Sequence, residues 1–110
     1  MIKVIVAGAA GRMGGRLVAL LKESAALALV CAVEVKGHAS VGEDAGEVAG
    51  CGRAGVEIGD DLSAVMERGE VIVDFSAPVA TLEHLRIAAQ HRKAMVIGTT
   101  GFSHQELAEI

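Results

Sequence analysis

The segment Gly8-Ala9-Ala10-Gly11-Arg12-Met13-Gly14 constrains this chain most, because of what flanks it. Before it, Ile2–Ala7 is a short β-branched run of the kind a parallel strand needs when both its faces are covered. After it, Met13, Leu17, Leu20 and Leu21 fall on one helical face, with Arg16, Lys22 and Glu23 away from it. Leu27–Val33 is a second apolar run, so the opening reads as β-α-β. The glycine spacing is G-x-x-G-x-x-G, a variant of the commoner G-x-G-x-x-G. At such a joint Gly8 allows the tight turn, Gly11 lets backbone amides approach a pyrophosphate, and Gly14 lets the helix pack close to the sheet. The helix start adds unpaired N–H groups and the positive end of a dipole, so an anion is held without a basic protein.

That last point matters because the chain is mildly acidic, with net charge −4 over 110 residues. It has no Trp, no Tyr and two Phe, which argues against a single-stranded nucleic-acid binder built on a basic groove and stacking rings. An apolar fraction of 52% with so small a net charge excludes intrinsic disorder, and the length suits one domain. No apolar run approaches a membrane span, and Met1-Ile2-Lys3 has no signal-peptide architecture. Cys31 and Cys51 form no C-x-x-C and join no cluster with zinc spacing, so they read as reduced thiols and no metal site is expected. The expectation is a cytoplasmic domain with no nucleic-acid or membrane partner.

Residues 35–59 are rich in glycine and long for a connection, which suggests a mobile or functional loop with a short edge strand at 56–58. Asp60 and Asp61 offer N-cap chemistry for a short helix through Leu62, Val65 and Met66, ended by Gly69. Residues 71–75 form the next strand. Pro78 opens a helix whose buried stripe is Leu82, Leu85 and Ala89. Ala94–Ile97 is the last strand, and Ser103 with Glu106 makes a capping box for a helix from His104. Strands and helices alternating in this way predict an α/β fold, a Rossmann-type doubly wound parallel sheet with order 3-2-1-4-5.

Glu34 closes the second apolar run about 20 residues past the glycines, where an acid can accept from adenosine ribose hydroxyls. Asp74-Phe75-Ser76-Ala77-Pro78 and Gly98-Thr99-Thr100-Gly101-Phe102 follow the fourth and fifth strands. In an open α/β sheet these turns line the same crevice as the glycine turn. Thr99 and Thr100 offer hydroxyls with little bulk, and Phe75 is either a core aromatic or a surface for a flat ring. The four histidines read as solvated: His84 and His91 on a helix whose apolar stripe faces elsewhere, His38 in the loop, His104 at a helix start.

At V-A-G-A-A-G-R-M-G, D-A-G (Asp44 to Gly46), D-F-S-A-P and V-I-G-T-T-G-F, the chain resembles the N-terminal domain of the 4-hydroxy-tetrahydrodipicolinate reductase family, also called dihydrodipicolinate reductase, of bacterial and plant diaminopimelate–lysine synthesis. The resemblance implies that Gly8, Ala9, Ala10, Gly11, Arg12 and Met13 hold the pyrophosphate region of NADH or NADPH, with Arg12 supplying positive charge. It also places Glu34 on the adenosine ribose, and Phe75, Ser76, Gly98, Thr99 and Thr100 near the nicotinamide. Family members favouring NADPH often carry a basic residue directly after the ribose-binding acid. Here that residue is Val35, with Lys36 one further on, so NADH is expected to bind at least as well as NADPH.

The family's substrate pocket, with a general-acid His and basic contacts to a dicarboxylate, lies in a C-terminal domain. Residues 1–110 are accordingly expected to be the dinucleotide-binding domain alone, with no catalytic residue in this chain and no turnover by it. The resemblance further implies a homo-oligomer, a tetramer formed through that other domain. A different reading is a stand-alone, non-catalytic NAD(H)-sensing or adaptor domain. A short-chain dehydrogenase is disfavoured, since a chain without Tyr has no Y-x-x-x-K pair.

Overall fold

The computed structural model describes residues 1–99 and 103–109. Its five strands are β1 (Ile2–Ala7), β2 (Leu27–Val33), β3 (Ile58–Gly59), β4 (Val71–Asp74) and β5 (Ala94–Ile97). They form one parallel sheet in the order β3-β2-β1-β4-β5, as the alternating pattern predicts. The helices are α1 (Arg12–Glu23), α2 (Ala45–Val48), α3 (Leu62–Val65, continued by a 3-10 turn at Met66–Arg68), α4 (Pro78–Gln90) and α5 (His104–Glu109).

β1 lies at the centre and alternates its side chains between two cores. Val4 and Val6 meet Val18 and Leu21 of α1 and Ala45 of α2 on one face. Ile5 and Ala7 meet Leu62, Met66 and Ala88 on the other. Cys31 lies in this second core, where burial pushes its thiol up against a smaller opposing effect of Arg68. Cys31 and Cys51 are both free thiols.

The helix stripes depart from the expected ones by one step. In α1 the buried residues are Gly14, Val18 and Leu21, while Met13 is 49% and Leu20 68% exposed. The close approach at Gly14 sets the rotation of the helix, and this turns Val18 inward and Leu20 outward. In α4, Thr81, Leu82 and Ala88 are buried and Ala89 is exposed. A polar residue, Thr81, occupies the inner face there, which apolar periodicity does not register.

Residues 35–59 are more ordered than a glycine-rich stretch suggests. The edge strand is Ile58–Gly59 rather than 56–58, and helix α2 packs on α1. Asp44 organises the segment. One carboxylate oxygen accepts from Glu47 N–H (3.1 Å) and Ala54 N–H (2.8 Å), the other from Gly55 N–H (2.8 Å) and Val56 N–H (3.1 Å). These bonds, Ala54 N–H foremost, hold the Asp44 carboxyl down to about 2. A lowered carboxyl stabilises the fold above its ordinary value of 3.8, and that stabilisation is lost as pH falls through about 2. The Ala54, Gly55 and Val56 amide resonances should therefore titrate together with a midpoint near 2. Asp44→Asn should abolish that titration and speed their hydrogen exchange. A midpoint near 4, the value of a free carboxyl, would contradict the arrangement.

Candidate functional site

The register of the sheet assembles the site. Ala7 pairs with Val33 on one side and with Asp74 on the other, and Asp74 pairs with Ile97. The four strands therefore end level, and the next residues, Gly8, Glu34, Phe75 and Gly98, share one rim. Backbone bonds fix them there: Gly8 N–H to Val33 O (3.0 Å), Phe75 N–H to Ala7 O (3.0 Å) and Gly98 N–H to Asp74 O (2.8 Å).

The glycines of the first turn divide by what requires them. Gly8 has φ of +78°, and a Cβ there would stand 2.7 Å from Phe75 O. A Cβ on Gly14 would run into Gly8 O. Gly11 is different, since a Cβ there would meet only Gly8 O, at an ordinary 3.4 Å. Protein packing therefore does not demand glycine at 11.

Helix α1 begins at this turn with Gly11 as N-cap, no side-chain cap and no acid in its first turn. Its first N–H groups, from Arg12 onwards, lack intrahelical acceptors. Helix α4 likewise starts at the rim uncapped, with Pro78 at its first position. By contrast, α2 and α3 are capped by Asp44 and Asp61. The two long helices that begin at the rim are thus the ones left open to an anion.

Glu34 leans back on the turn. One carboxylate oxygen accepts from Ala10 N–H (2.9 Å), the other from Val35 N–H (3.2 Å). Ala9 is buried and its N–H bonds Val33 O (3.3 Å), so it builds the turn from behind. Past Glu34 lies a hollow of about 270 Å³, also lined by Val35, Lys36, Asp60, Asp61 and His84. On the other side, a crevice of about 420 Å³ is lined by Gly11, Arg12, Met13, Phe75, Ser76 and Thr99. Exposed Met13 serves this crevice rather than the core. The Phe75 ring lies over Gly98, where any Cβ would collide with it. Thr100 lies outside the described residues.

Beneath the crevice is a polar cluster that sequence reading misses. Asp74 is fully buried; its carboxylate accepts from Ser76 N–H (2.8 Å) and pairs with Nδ1 of His84 (2.9 Å). His84 is therefore not a solvated residue, with only 17% of its side chain accessible. The Thr99 hydroxyl shares a hydrogen bond with that of Thr81 (2.7 Å), which makes it part of the support. The Asp74–Ser76 bond spans two residues and is legible as an Asx turn, but nothing local links Asp74 to His84. His91 also has a partner, Glu67, at 3.2 Å.

A family model described as the N-terminus of dihydrodipicolinate reductase matches residues 2–110. The chain belongs to this family. A 4-hydroxy-tetrahydrodipicolinate reductase of Citrifermentans bemidjiense is 48% identical over 98% of this chain, and one of Geobacter sulfurreducens is 47% identical over the same share. The chain spans 40% of the length of these two relatives. Among solved structures, a dipicolinate-bound dihydrodipicolinate reductase from Paenisporosarcina sp. TG-14 superposes with TM-score 0.74 at 24% identity, covering 99% of this chain and 41% of that one. An amine dehydrogenase from Mycobacterium smegmatis superposes with TM-score 0.72 at 28% identity, covering 87% and 29%. The first of these supports the α/β architecture alone. Membership in the reductase family makes this chain the N-terminal, dinucleotide-binding domain of that family. Among the described residues, no three His, Cys, Asp or Glu converge to hold a metal, and no helix is long and apolar enough to cross a membrane.

Proposed function

We propose that the chain holds NADH or NADPH along its rim as the cofactor-binding part of a 4-hydroxy-tetrahydrodipicolinate reductase. The observation that carries this is the level ending of β1, β2, β4 and β5 beside two uncapped helix starts. The pyrophosphate lies at Gly11, Arg12 and Met13, with Gly8, Ala9 and Ala10 shaping the turn. The ribose lies on Glu34. Phe75, Ser76, Gly98, Thr99 and Thr100 border the nicotinamide. When bound, the reduced nicotinamide would supply the hydride for reducing a dihydrodipicolinate precursor that loses water, giving tetrahydrodipicolinate for diaminopimelate and lysine synthesis and the oxidised nucleotide. This chain's residues orient the nicotinamide ring and pair with the pyrophosphate of the dinucleotide. The dicarboxylate and the proton belong to residues outside 1–110, in a cytoplasmic homo-oligomer. NADH should bind the 110-residue chain without turnover. Reductase activity from it alone would contradict that division of labour.

The same geometry bears on cofactor preference. Lys36 does reach the hollow beside Glu34, because residues 34–36 have left the strand. The hollow is nevertheless lined by four acids, Glu34, Asp60, Asp61 and Glu83. The Lys36 charge also acts on Asp61, which the Ser63 hydroxyl foremost holds below the usual carboxylate range. A phosphate on the ribose would meet more negative charge than positive. NADH is expected to bind at least as tightly as NADPH in paired titrations. An NADPH dissociation constant lower by about tenfold, or 1.4 kcal/mol, would overturn this.

A further inference from the structure

Resting on that reading of the rim, we infer that His84 is a specificity-determining residue for the cofactor, its Nε2 accepting a hydrogen bond from the adenine amino group. The hollow past Glu34 has the polar residues Glu34, Lys36, Asp60, Asp61, Glu83 and His84 on its wall. All but Lys36 present acceptors when the acids are ionised and the imidazole is neutral. Such a wall suits a ligand end that presents donors, as ribose hydroxyls and an exocyclic amine do.

Within that wall His84 is the side chain oriented by a fully buried partner. A carboxylate only accepts, so the 2.9 Å contact with Asp74 Oδ2 places the ring hydrogen on Nδ1. In the neutral ring the lone pair is then on Nε2. Asp74 cannot turn away, because its other oxygen is held by Ser76 N–H and the residue is fully buried. With the Nδ1 edge turned inward, the edge left to the hollow carries Nε2. Glu34 is held by one backbone N–H on each oxygen and keeps a further lone pair on each, which suits it to the hydroxyls of the nearby ribose.

The test compares NADH with deamino-NADH, whose purine has a carbonyl in place of the amino group. His84→Asn is the informative variant: its amide nitrogen takes the place of Nδ1 as donor to Asp74, while nothing replaces Nε2. Wild type should bind NADH about three- to tenfold more tightly than deamino-NADH, the range of one neutral hydrogen bond. His84→Asn should melt close to wild type, weaken NADH by that same factor, and leave deamino-NADH unchanged, so that the preference disappears. A preference that survives in His84→Asn overturns the assignment, as does a wild type with no preference. Equal weakening of both nucleotides with a lowered melting temperature would make His84 structural only, and also overturns it. Failure of wild type to bind either nucleotide would instead refute the dinucleotide reading itself.

Discussion

Gly14→Ala is expected to destabilise the chain by about 3 kcal/mol, the upper end of the range for overpacking. The added methyl meets a backbone carbonyl, Gly8 O, rather than a yielding side-chain tip. That carbonyl accepts from Gly11 N–H (3.1 Å), and Gly8 N–H is tied to Val33 O (3.0 Å). Behind Gly8 stands the Phe75 backbone, so the turn cannot retreat. Alanine's better helix propensity returns only about 1 kcal/mol. Urea denaturation measures the loss, and wild-type stability in the variant would show that helix and turn can separate. Gly11→Ala should behave in the opposite way: the fold keeps its stability to within about 1 kcal/mol, and NADH binding weakens. The pair separates a glycine required by the chain from one that the proposed ligand would require.

Asp74→Ala is expected to cost about 2–4 kcal/mol, as when a buried acceptor is taken from two donors. It leaves Ser76 N–H and the His84 ring without their fully buried acceptor. Against a total stability of about 5–15 kcal/mol for a domain, that loss is a large fraction. The melting temperature should fall by about 10 °C or more, and nucleotide binding should weaken because the turn at Phe75 and Ser76 loses its anchor. Asp74→Asn should be milder, since it retains an acceptor for Ser76 N–H. If the alanine variant melted like wild type, the pairing with His84 would be incidental.

These two residues also mark how much of the site is legible in sequence. Gly14 is readable because a strand, a glycine turn and an apolar helix are all local patterns with a fixed meaning at their junction. The order β3-β2-β1-β4-β5 is readable for the same reason, since right-handed crossovers leave few choices. Glu34, Phe75 and Gly98 follow, because each closes a strand whose end the topology brings to the rim. Asp74 and His84 do not follow. Their contact joins a strand end to the second turn of a helix, and the polar inner face of α4 hides it from hydrophobic periodicity. The segment 35–59 fails differently: its order comes from one carboxylate binding four amides, which composition reads as looseness.

Titration of the isotope-labelled chain with NADH, followed residue by residue by NMR, tests dinucleotide binding at the rim most directly. Saturable shifts are expected at Gly8, Gly11, Arg12 and Met13, at Glu34, and at Phe75, Ser76, Gly98 and Thr99, with little change along residues 44–56. Absence of saturable shifts at millimolar NADH, or shifts confined to residues away from these strand ends, would contradict it.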